Sequence, residues 1–310
     1  MAERAELSRR AAVRTVLGGF AATLLAACQS PSISGPMAAP TATNPLIKPR
    51  ASGAELTAVQ ASSELALGRD RFAVGLIDAQ NQPVTNGTAR LEFFKLMPGG
   101  SAEKRADAEA VFRAVAGATA RGIWVAQTSF GEAGTWGAQI TLQRPGEAPK
   151  VARLNFEVRQ KFSAPGYGDP APRSRSLTER DAGGDPSHIC SNTPPCALHG
   201  VSIADALDQA QKPLVVVFAT PALCTSQLCA PELDAVVQLH EAYADRATFV
   251  HVEIYEYPFD GQRVAKTVSE WSLPGEPFTF VVDRGGLVRD RFEGAAPTEE
   301  VEPALKAVLA

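Results

Sequence analysis

Residues 215–233 read VVVFATPALCTSQLCAPEL, and this stretch decides the fold class of the C-terminal part of the chain. A β-branched apolar run, typical of a buried strand, ends before Pro221, and an amphipathic helical pattern begins near Pro231. Cys224 and Cys229 lie between the strand and the helix, with four residues between them. A thiol at this place meets unpaired backbone N–H groups and the positive end of the helix dipole, which both favour the thiolate. The position of the pair therefore indicates redox chemistry.

The C-x4-C spacing limits how the two thiols can meet. In a regular helix, positions i and i+5 are separated by roughly 7.5 Å along the axis and by about 140° around it. Their Cα atoms would lie roughly 8–9 Å apart, beyond the limit of about 7 Å for a disulfide. The pair can form a couple only if Cys224 lies in the loop before the helix or if the first helical turn opens. A helix that starts near Ala230 would leave both cysteines in the loop.

Helix and strand patterns alternate around the pair over residues 201–310. Ser202 and Asp205 predict a capped helix that extends through Gln211. Apolar periodicity predicts strands at 213–219, 248–254, 278–282 and 287–292, and helices at 231–243 and 299–309.

Two segments carry a resemblance to a known family. Residues 218–220 (FAT) and 271–283 (WSLPGEPFTFVVD) resemble the strand end and the cis-proline segment of membrane-anchored thioredoxin-like reductases. The resemblance implies an α/β thioredoxin-like C-terminal domain with a cis Pro277 that faces the cysteines. In the thiol–disulfide oxidoreductase that it implies, Cys224 attacks and Cys229 resolves the mixed disulfide. The expected partners are protein thiols and disulfides, and no cofactor is expected.

Three other interpretations of the pair stay open. In a non-enzymatic binding protein, Cys224–Cys229 would be a static disulfide that braces the turn. CTSQLC also resembles the CTxxxC of Q-class peroxiredoxins, although the upstream positions where that family has Pro and Thr hold Val217 and Pro221 here. A thioredoxin-fold copper carrier would need a distal histidine, for which His251 is the candidate.

The N-terminus sets the expected compartment. Basic residues precede an apolar run at 16–27 (VLGGFAATLLAA), which is too short for a comfortable membrane span. LAAC at 25–28 resembles a bacterial lipobox, and this implies removal of a signal peptide, residues 1–27, and lipid attachment to the sulfur of Cys28. We therefore expect a lipid-anchored protein on the extracytoplasmic face of the cell membrane. Residues 28–55, rich in Pro, Ser, Ala and Thr, would form a flexible tether.

The full chain has 310 residues, which is long enough for two domains after the expected signal peptide and tether. Its 30 basic and 34 acidic residues give a net charge of −4, so nucleic acid is not an expected partner. Residues 56–160 show short alternating strand patterns that resemble an Ig-like β-sandwich, with 101–116 as a long hairpin loop or a short helix. No chemistry is assigned to this region because it contains neither cysteine nor histidine.

Residues 161–200 form a Pro/Gly-rich linker between the two expected domains, and this linker contains Cys190 and Cys196. If Cys28 carries lipid, the remaining four cysteines fall into two close pairs in an oxidising compartment. We therefore expect a structural Cys190–Cys196 disulfide and no metal site.

The alternative for this segment is a metal site, whose ligand spacing matches no strong zinc module. Its ligands would be His188, Cys190, Cys196 and His199.

Overall fold

The computed structural model describes residues 54–115, 118–224, 228–294 and 296–310, and these residues belong to one compact unit. Its N-terminal part is a single antiparallel sheet with the strand order β1-β2-β5-β4-β3-β6-β7. The strands are β1 (Leu56–Gln60), β2 (Gly68–Asp78), β3 (Thr88–Leu96), β4 (Ala102–Val115), β5 (Ala118–Phe130), β6 (Gly134–Gln143) and β7 (Lys150–Val158).

The first and last strands of this sheet contact each other, so that the sheet nearly closes on itself. Arg159, directly after β7, donates its backbone N–H to the carbonyl of Leu65 at 2.8 Å and accepts a hydrogen bond from the N–H of Leu67 at 3.1 Å. The interior is filled by aromatic rings, among them Phe72 and Phe93, whose centroids lie 5.1 Å apart. The curled sheet thus encloses its own core.

Strand β4 explains why the sheet differs from the expected sandwich. Residues 102–110 pair with β3, and residues 111–115 pair with β5, so that β4 joins the two groups of strands into one sheet. The Ig-like sandwich is therefore not confirmed, and the loop or short helix expected at 101–116 was wrong. Small apolar and charged residues alternate within β4, and this pattern indicates a strand. Ala106 and Ala108 pack against the core, whereas Asp107 and Glu109 are exposed.

The C-terminal part has the helix and strand order of a thioredoxin-like domain. Its four-stranded sheet has the order β11-β10-β8-β9, in which β8 and β9 are parallel and the other neighbours are antiparallel. The elements are α1 (Ile203–Gln209), β8 (Leu214–Phe218), α2 (Cys229–Tyr243), β9 (Thr248–Val252), α3 (Lys266–Glu270), β10 (Phe278–Val282), β11 (Val288–Glu293) and α4 (Thr298–Leu309).

Strand β8 is buried on both faces, which is why it is a continuous apolar run. Val216 and Phe218 pack on the same side as Ile203 of α1, whereas Val215 and Val217 pack against α2 and α4. The strand therefore ends in the centre of the sheet, and the loop that carries Cys224 follows it directly.

Residues 161–200, expected as a linker, pack along both edges of the four-stranded sheet. At the β11 edge, the N–H of Gly168 donates to the carbonyl of Val288 at 2.7 Å. At the β9 edge, the N–H of His251 donates to the carbonyl of Leu198 at 3.0 Å. Proline and glycine exclude a regular element here, but isolated backbone hydrogen bonds still satisfy the edge strands.

Buried ion pairs join the seven-stranded sheet to the thioredoxin-like part. Arg71 of β2 donates from Nε and Nη2 to the two carboxylate oxygens of Glu300 in α4, at 2.8 and 2.9 Å. Arg291 of β11 donates to Glu64 at 2.9 Å. All four side chains are at least nine-tenths buried.

The expected signal peptide, the lipidation residue Cys28 and nearly all of the tether lie outside the described residues. Within the described ranges, no helix is both long enough and apolar enough to cross a membrane.

Candidate active site

The cysteine pair lies where β8 leads into α2. Cys229 is the first residue of α2 and is fully buried, whereas Cys224 lies in the preceding loop and is half-buried. The N–H of Cys229 donates to the sulfur of Cys224 at 3.3 Å, and the N–H of Cys224 donates to the carbonyl of Thr220 at 3.1 Å. Of the two geometries compatible with C-x4-C, the chain adopts the one with Cys224 in the loop. This arrangement leaves Cys224 accessible and shields Cys229.

A carboxyl group that the sequence analysis missed completes the site. The two sulfurs and a carboxylate oxygen of Glu276 all lie within 4.8 Å of one another. The peptide bond between Glu276 and Pro277 is cis, as the resemblance implies. Both cysteines are thiols in the structure, not a disulfide. Glu276 was within the quoted cis-proline segment, and its place directly before Pro277 was the signal that could have identified it.

The environment changes the acidity of two of these groups. Burial raises the pKa of Glu276 to about 7, and a negative charge on Cys224 acts in the same direction. Within the described residues, its Oε2 atom is buried and has no hydrogen-bond partner. A hydrogen bond to Cys224 and burial both raise the pKa of the Cys229 thiol. The site therefore places a protonated, shielded thiol beside a carboxyl group that titrates near neutral pH.

A second cluster lies next to the loop that carries Cys224 and contains Cys190, Cys196, His199 and His251. The sulfur atoms of Cys190 and Cys196 are 3.9 Å apart, whereas a disulfide requires about 2.05 Å. Both cysteines are thus free thiols in the structure, and two histidine rings converge on their sulfurs. His251 Nδ1 lies 3.3 Å from the sulfur of Cys196 and 3.2 Å from His199 Nε2.

His188, considered with this group from the sequence, lies elsewhere. Its ring packs on Tyr257 with a centroid distance of 4.4 Å, and its Nε2 lies 3.7 Å from Asp185. The histidine that joins the cluster, His251, comes from β9 and was assigned only to a possible copper site with the other cysteine pair. Sequence spacing could not connect His251 to Cys190, because the contact depends on how the 190–199 segment crosses the edge of the sheet.

The two sulfurs of the second cluster differ in acidity. A hydrogen bond from Cys196 lowers the pKa of the Cys190 thiol, and hydrogen bonds to both histidines add to this effect. The same hydrogen bond raises the pKa of Cys196. The pair therefore favours one proton shared between a thiolate and a thiol.

Direct hydrogen bonds connect the second cluster to the loop that carries Cys224. The Nε2–H of His251 donates to the carbonyl of Ala219 at 3.0 Å, at the end of β8. The hydroxyl of Ser191 accepts a hydrogen bond from the N–H of Ala222 at 3.2 Å, two residues before Cys224. The segment that carries Cys190 therefore supports the loop that carries Cys224.

No protein-family model and no curated protein matches the chain. A thioredoxin-family thiol:disulfide interchange protein from Chlorobium tepidum TLS is 18% identical, with 47% of this chain and 100% of that chain covered at a TM-score of 0.34. A thio-disulfide isomerase from Thermus thermophilus is 22% identical, with 46% and 96% covered at a TM-score of 0.32. A DUF4426 family protein from Pseudomonas aeruginosa PAO1 is 17% identical, with 34% and 89% covered at a TM-score of 0.22. At these values the comparisons assign no activity to the chain.

Proposed function

We propose that this protein is a thiol–disulfide oxidoreductase whose reacting pair is Cys224 and Cys229. The observation that carries the proposal is the geometry of the pair: an accessible sulfur in the loop accepts the N–H of a shielded cysteine at the start of α2. A static brace would need no accessible sulfur and no carboxyl group beside it, whereas disulfide exchange uses both.

The reaction begins when the Cys224 thiolate attacks one sulfur of a substrate disulfide. A bond forms between Cys224 and that sulfur, the substrate S–S bond breaks, and the second substrate sulfur leaves as a thiolate that takes up a proton. The Cys229 thiolate then attacks the sulfur of Cys224, and the first substrate sulfur leaves. The substrate disulfide gains two electrons, and the Cys224–Cys229 pair loses two electrons as it becomes a disulfide.

Glu276 fits the role of proton acceptor for the second step. Cys229 is a poor nucleophile while its proton is retained, and its raised pKa retains it. The Glu276 carboxylate lies within reach of this thiol and titrates near neutral pH, which suits a group that accepts a proton and later returns it. Pro277, the next residue, would border the groove that receives the substrate.

A mixed-disulfide trap tests this proposal. In a Cys229→Ser variant, attack by Cys224 should stall, so that substrate proteins with disulfides remain covalently bound and are released by reductant. The matched control, Cys224→Ser, should trap nothing. A Cys224–Cys229 potential below about −300 mV together with no trapped partner would instead indicate a structural brace. Peroxide consumption that depends on Cys224 would support the peroxidase alternative.

We also propose that the protein acts at the extracytoplasmic face of the cell membrane, attached by lipid at Cys28. The support is the LAAC sequence after a basic and apolar N-terminus. Fatty-acid labelling of the full chain in cells should be lost in Cys28→Ala and retained in Cys224→Ser. Equal labelling of both variants would contradict the anchor.

A further inference from the structure

The second cluster has the form of a metal site, and we propose that Cys190, Cys196, His199 and His251 bind one zinc ion as a structural site. Each of the four contributes one atom, and these atoms all lie within 4.8 Å of one another. The inference goes beyond disulfide exchange, because it involves neither Cys224 nor Cys229.

The distances between the donor atoms are those of a tetrahedron around zinc. With Zn–S of about 2.3 Å and Zn–N of about 2.05 Å, tetrahedral angles require about 3.8 Å between sulfurs, about 3.6 Å between sulfur and nitrogen and about 3.3 Å between nitrogens. The structure has 3.9 Å between the sulfurs of Cys190 and Cys196 and 3.2 Å between the nitrogens of His199 and His251. Three of the four sulfur–nitrogen distances are 3.8, 3.4 and 3.3 Å, and the fourth, between Cys190 and His199, is within 4.8 Å.

The hydrogen bonds around the cluster orient the donor atoms toward its centre. The carbonyl of Ala219 can only accept, so His251 carries a proton on Nε2, and Nδ1, which lies beside the sulfurs, is the atom that would bind the ion. A backbone carbonyl in this role is the usual partner of a metal-binding histidine. The N–H of Cys196 donates to the sulfur of Cys190 at 3.4 Å, which supports a thiolate there.

The surroundings favour a closed structural site over a catalytic one. Cys190, His199 and His251 are almost completely buried, with 2%, 1% and 1% of their surfaces exposed. Four protein ligands fill a tetrahedral zinc shell, and no position is left for water or substrate. Two thiolates and two imidazoles also suit zinc far better than magnesium or calcium, which prefer oxygen ligands.

Such an ion would fix the 190–199 segment to β9. Three ligands come from this segment and one from the strand, so that zinc would cross-link a stretch without regular structure to the sheet. The segment contacts the loop of Cys224 through Ser191, and β9 contacts the start of that loop through His251. The proposed ion therefore supports the loop of Cys224 from outside the reacting pair.

Metal content of the full chain, purified with reductant and without chelator, tests the site. We expect one zinc per chain, lost in Cys196→Ser and in His251→Gln. The matched controls are His188→Gln and the double variant Cys224→Ser/Cys229→Ser, which should both retain zinc. Far-UV circular dichroism identifies any variant that loses metal only because it does not fold.

Cobalt substitution gives a second readout that folding alone cannot imitate. Co²⁺ added to the zinc-free chain should give the visible bands of a tetrahedral site and thiolate charge-transfer bands, and Cys196→Ser should weaken the latter. The proposal is overturned if the reduced wild-type chain binds neither ion, or if binding persists unchanged in His251→Gln. A zinc-free protein with a Cys190–Cys196 disulfide, isolated from its own cells, would also overturn it.

Discussion

Glu276 is the residue whose ionisation the candidate active site can use near neutral pH. Burial raises its pKa from 4.5 to about 7, so the carboxylate form that can accept a proton from Cys229 appears only as the pH rises through this value. The groups that face it are Cys224, Cys229 and, farther away, Glu253. The rate of the second step of the proposed reaction should therefore rise as Glu276 ionises.

In a single turnover with a chromophoric aromatic disulfide, the second thiol release should accelerate between about pH 6 and pH 8 in the wild type. Glu276→Gln should slow this phase by at least about 10-fold at pH 8 and remove its inflection near pH 7, because general base catalysis is lost. Stopped-flow absorbance separates the two releases. Glu299→Gln, at an exposed position in α4, is the matched control, and identical pH profiles in both variants would remove Glu276 from the mechanism.

Individual residues differ in how far the sequence could predict them. Cys224 and Cys229 could be identified from the sequence because they lie between a predicted strand and a predicted helix, whereas the cis Pro277 was implied only by the family resemblance. The place of His251 beside Cys190 and Cys196 could not be predicted, because it depends on which distant segment packs against β9, and Glu276 was overlooked although it lies directly before Pro277. The Cys190–Cys196 disulfide was predicted from spacing alone, whereas the structure has the two sulfurs 3.9 Å apart and His251 Nδ1 3.3 Å from the sulfur of Cys196.

Among the elements, α2 depends on a buried carboxyl group in its first turn. Glu232 accepts hydrogen bonds from the Thr279 hydroxyl at 2.6 Å and from the N–H of Ala296 at 2.8 Å, and thereby holds α2 against β10 and the start of α4. Burial raises its pKa to about 8, while the charge of Arg71 opposes this rise. The Glu232 carboxyl group therefore ionises less readily in the folded chain than in the unfolded chain.

This shift predicts a stability that falls with pH. Between about pH 4.5 and pH 8 the folded chain retains the Glu232 proton and the unfolded chain has lost it, so the free energy of unfolding decreases as pH rises. The contribution of this group is at most about 1.4 kcal/mol per pH unit. Glu232→Gln keeps the hydrogen bond to Ala296 and can donate to Thr279, so it should flatten the profile measured by urea unfolding. An unchanged slope would show that Glu232 does not titrate in this range.

Element boundaries followed the sequence closely where a continuous apolar run met a clear break. The strand predicted at 278–282 is β10, and the helix capped by Ser202 begins as expected, with the Asp205 N–H donating to the Ser202 hydroxyl. Strand β4 and the short helix α3 were missed. Both segments contain few large apolar residues, because each element covers only part of a core and most of the core side chains come from other elements.

At the scale of the whole molecule, the ion pair between Arg71 and Glu300 connects the two parts of the chain. It is bidentate, and both side chains are about 5% exposed. Removing one partner of a buried ion pair leaves the other charge without its main counter-ion, which typically costs about 3–5 kcal/mol. Arg69 and Asp290 form a comparable pair across the same junction, but Arg69 is 53% exposed.

We expect Glu300→Gln to lower the free energy of unfolding by about 3 kcal/mol, and Arg69→Ala by less than about 1 kcal/mol. The double variant Arg71→Met/Glu300→Leu should recover much of the loss, since neither charge then remains buried. Urea unfolding followed by tryptophan fluorescence measures all three. Equal losses in Glu300→Gln and Arg69→Ala would mean that burial of the pair does not matter.

The overall architecture was predicted unevenly. Alternating helices and strands identified the thioredoxin-like part, because its buried parallel strands are distinct in sequence. The closure of the N-terminal sheet was not predictable, since strand periodicity gives the face of each residue and not the neighbour of each strand. The course of residues 161–200 along the sheet edges could not be predicted either, because its backbone hydrogen bonds are made to edge strands that are distant in the sequence.

That path has a consequence for how the protein behaves among unfolded chains. Exposed strand edges invite other chains to add strands and start aggregates. Here the 161–200 segment hydrogen-bonds at both edges of the four-stranded sheet, and the edges of the seven-stranded sheet meet each other. In the proposed disulfide exchange, Cys224 would thus meet substrate chains while the sheets of this protein offer those chains few free edges to pair with.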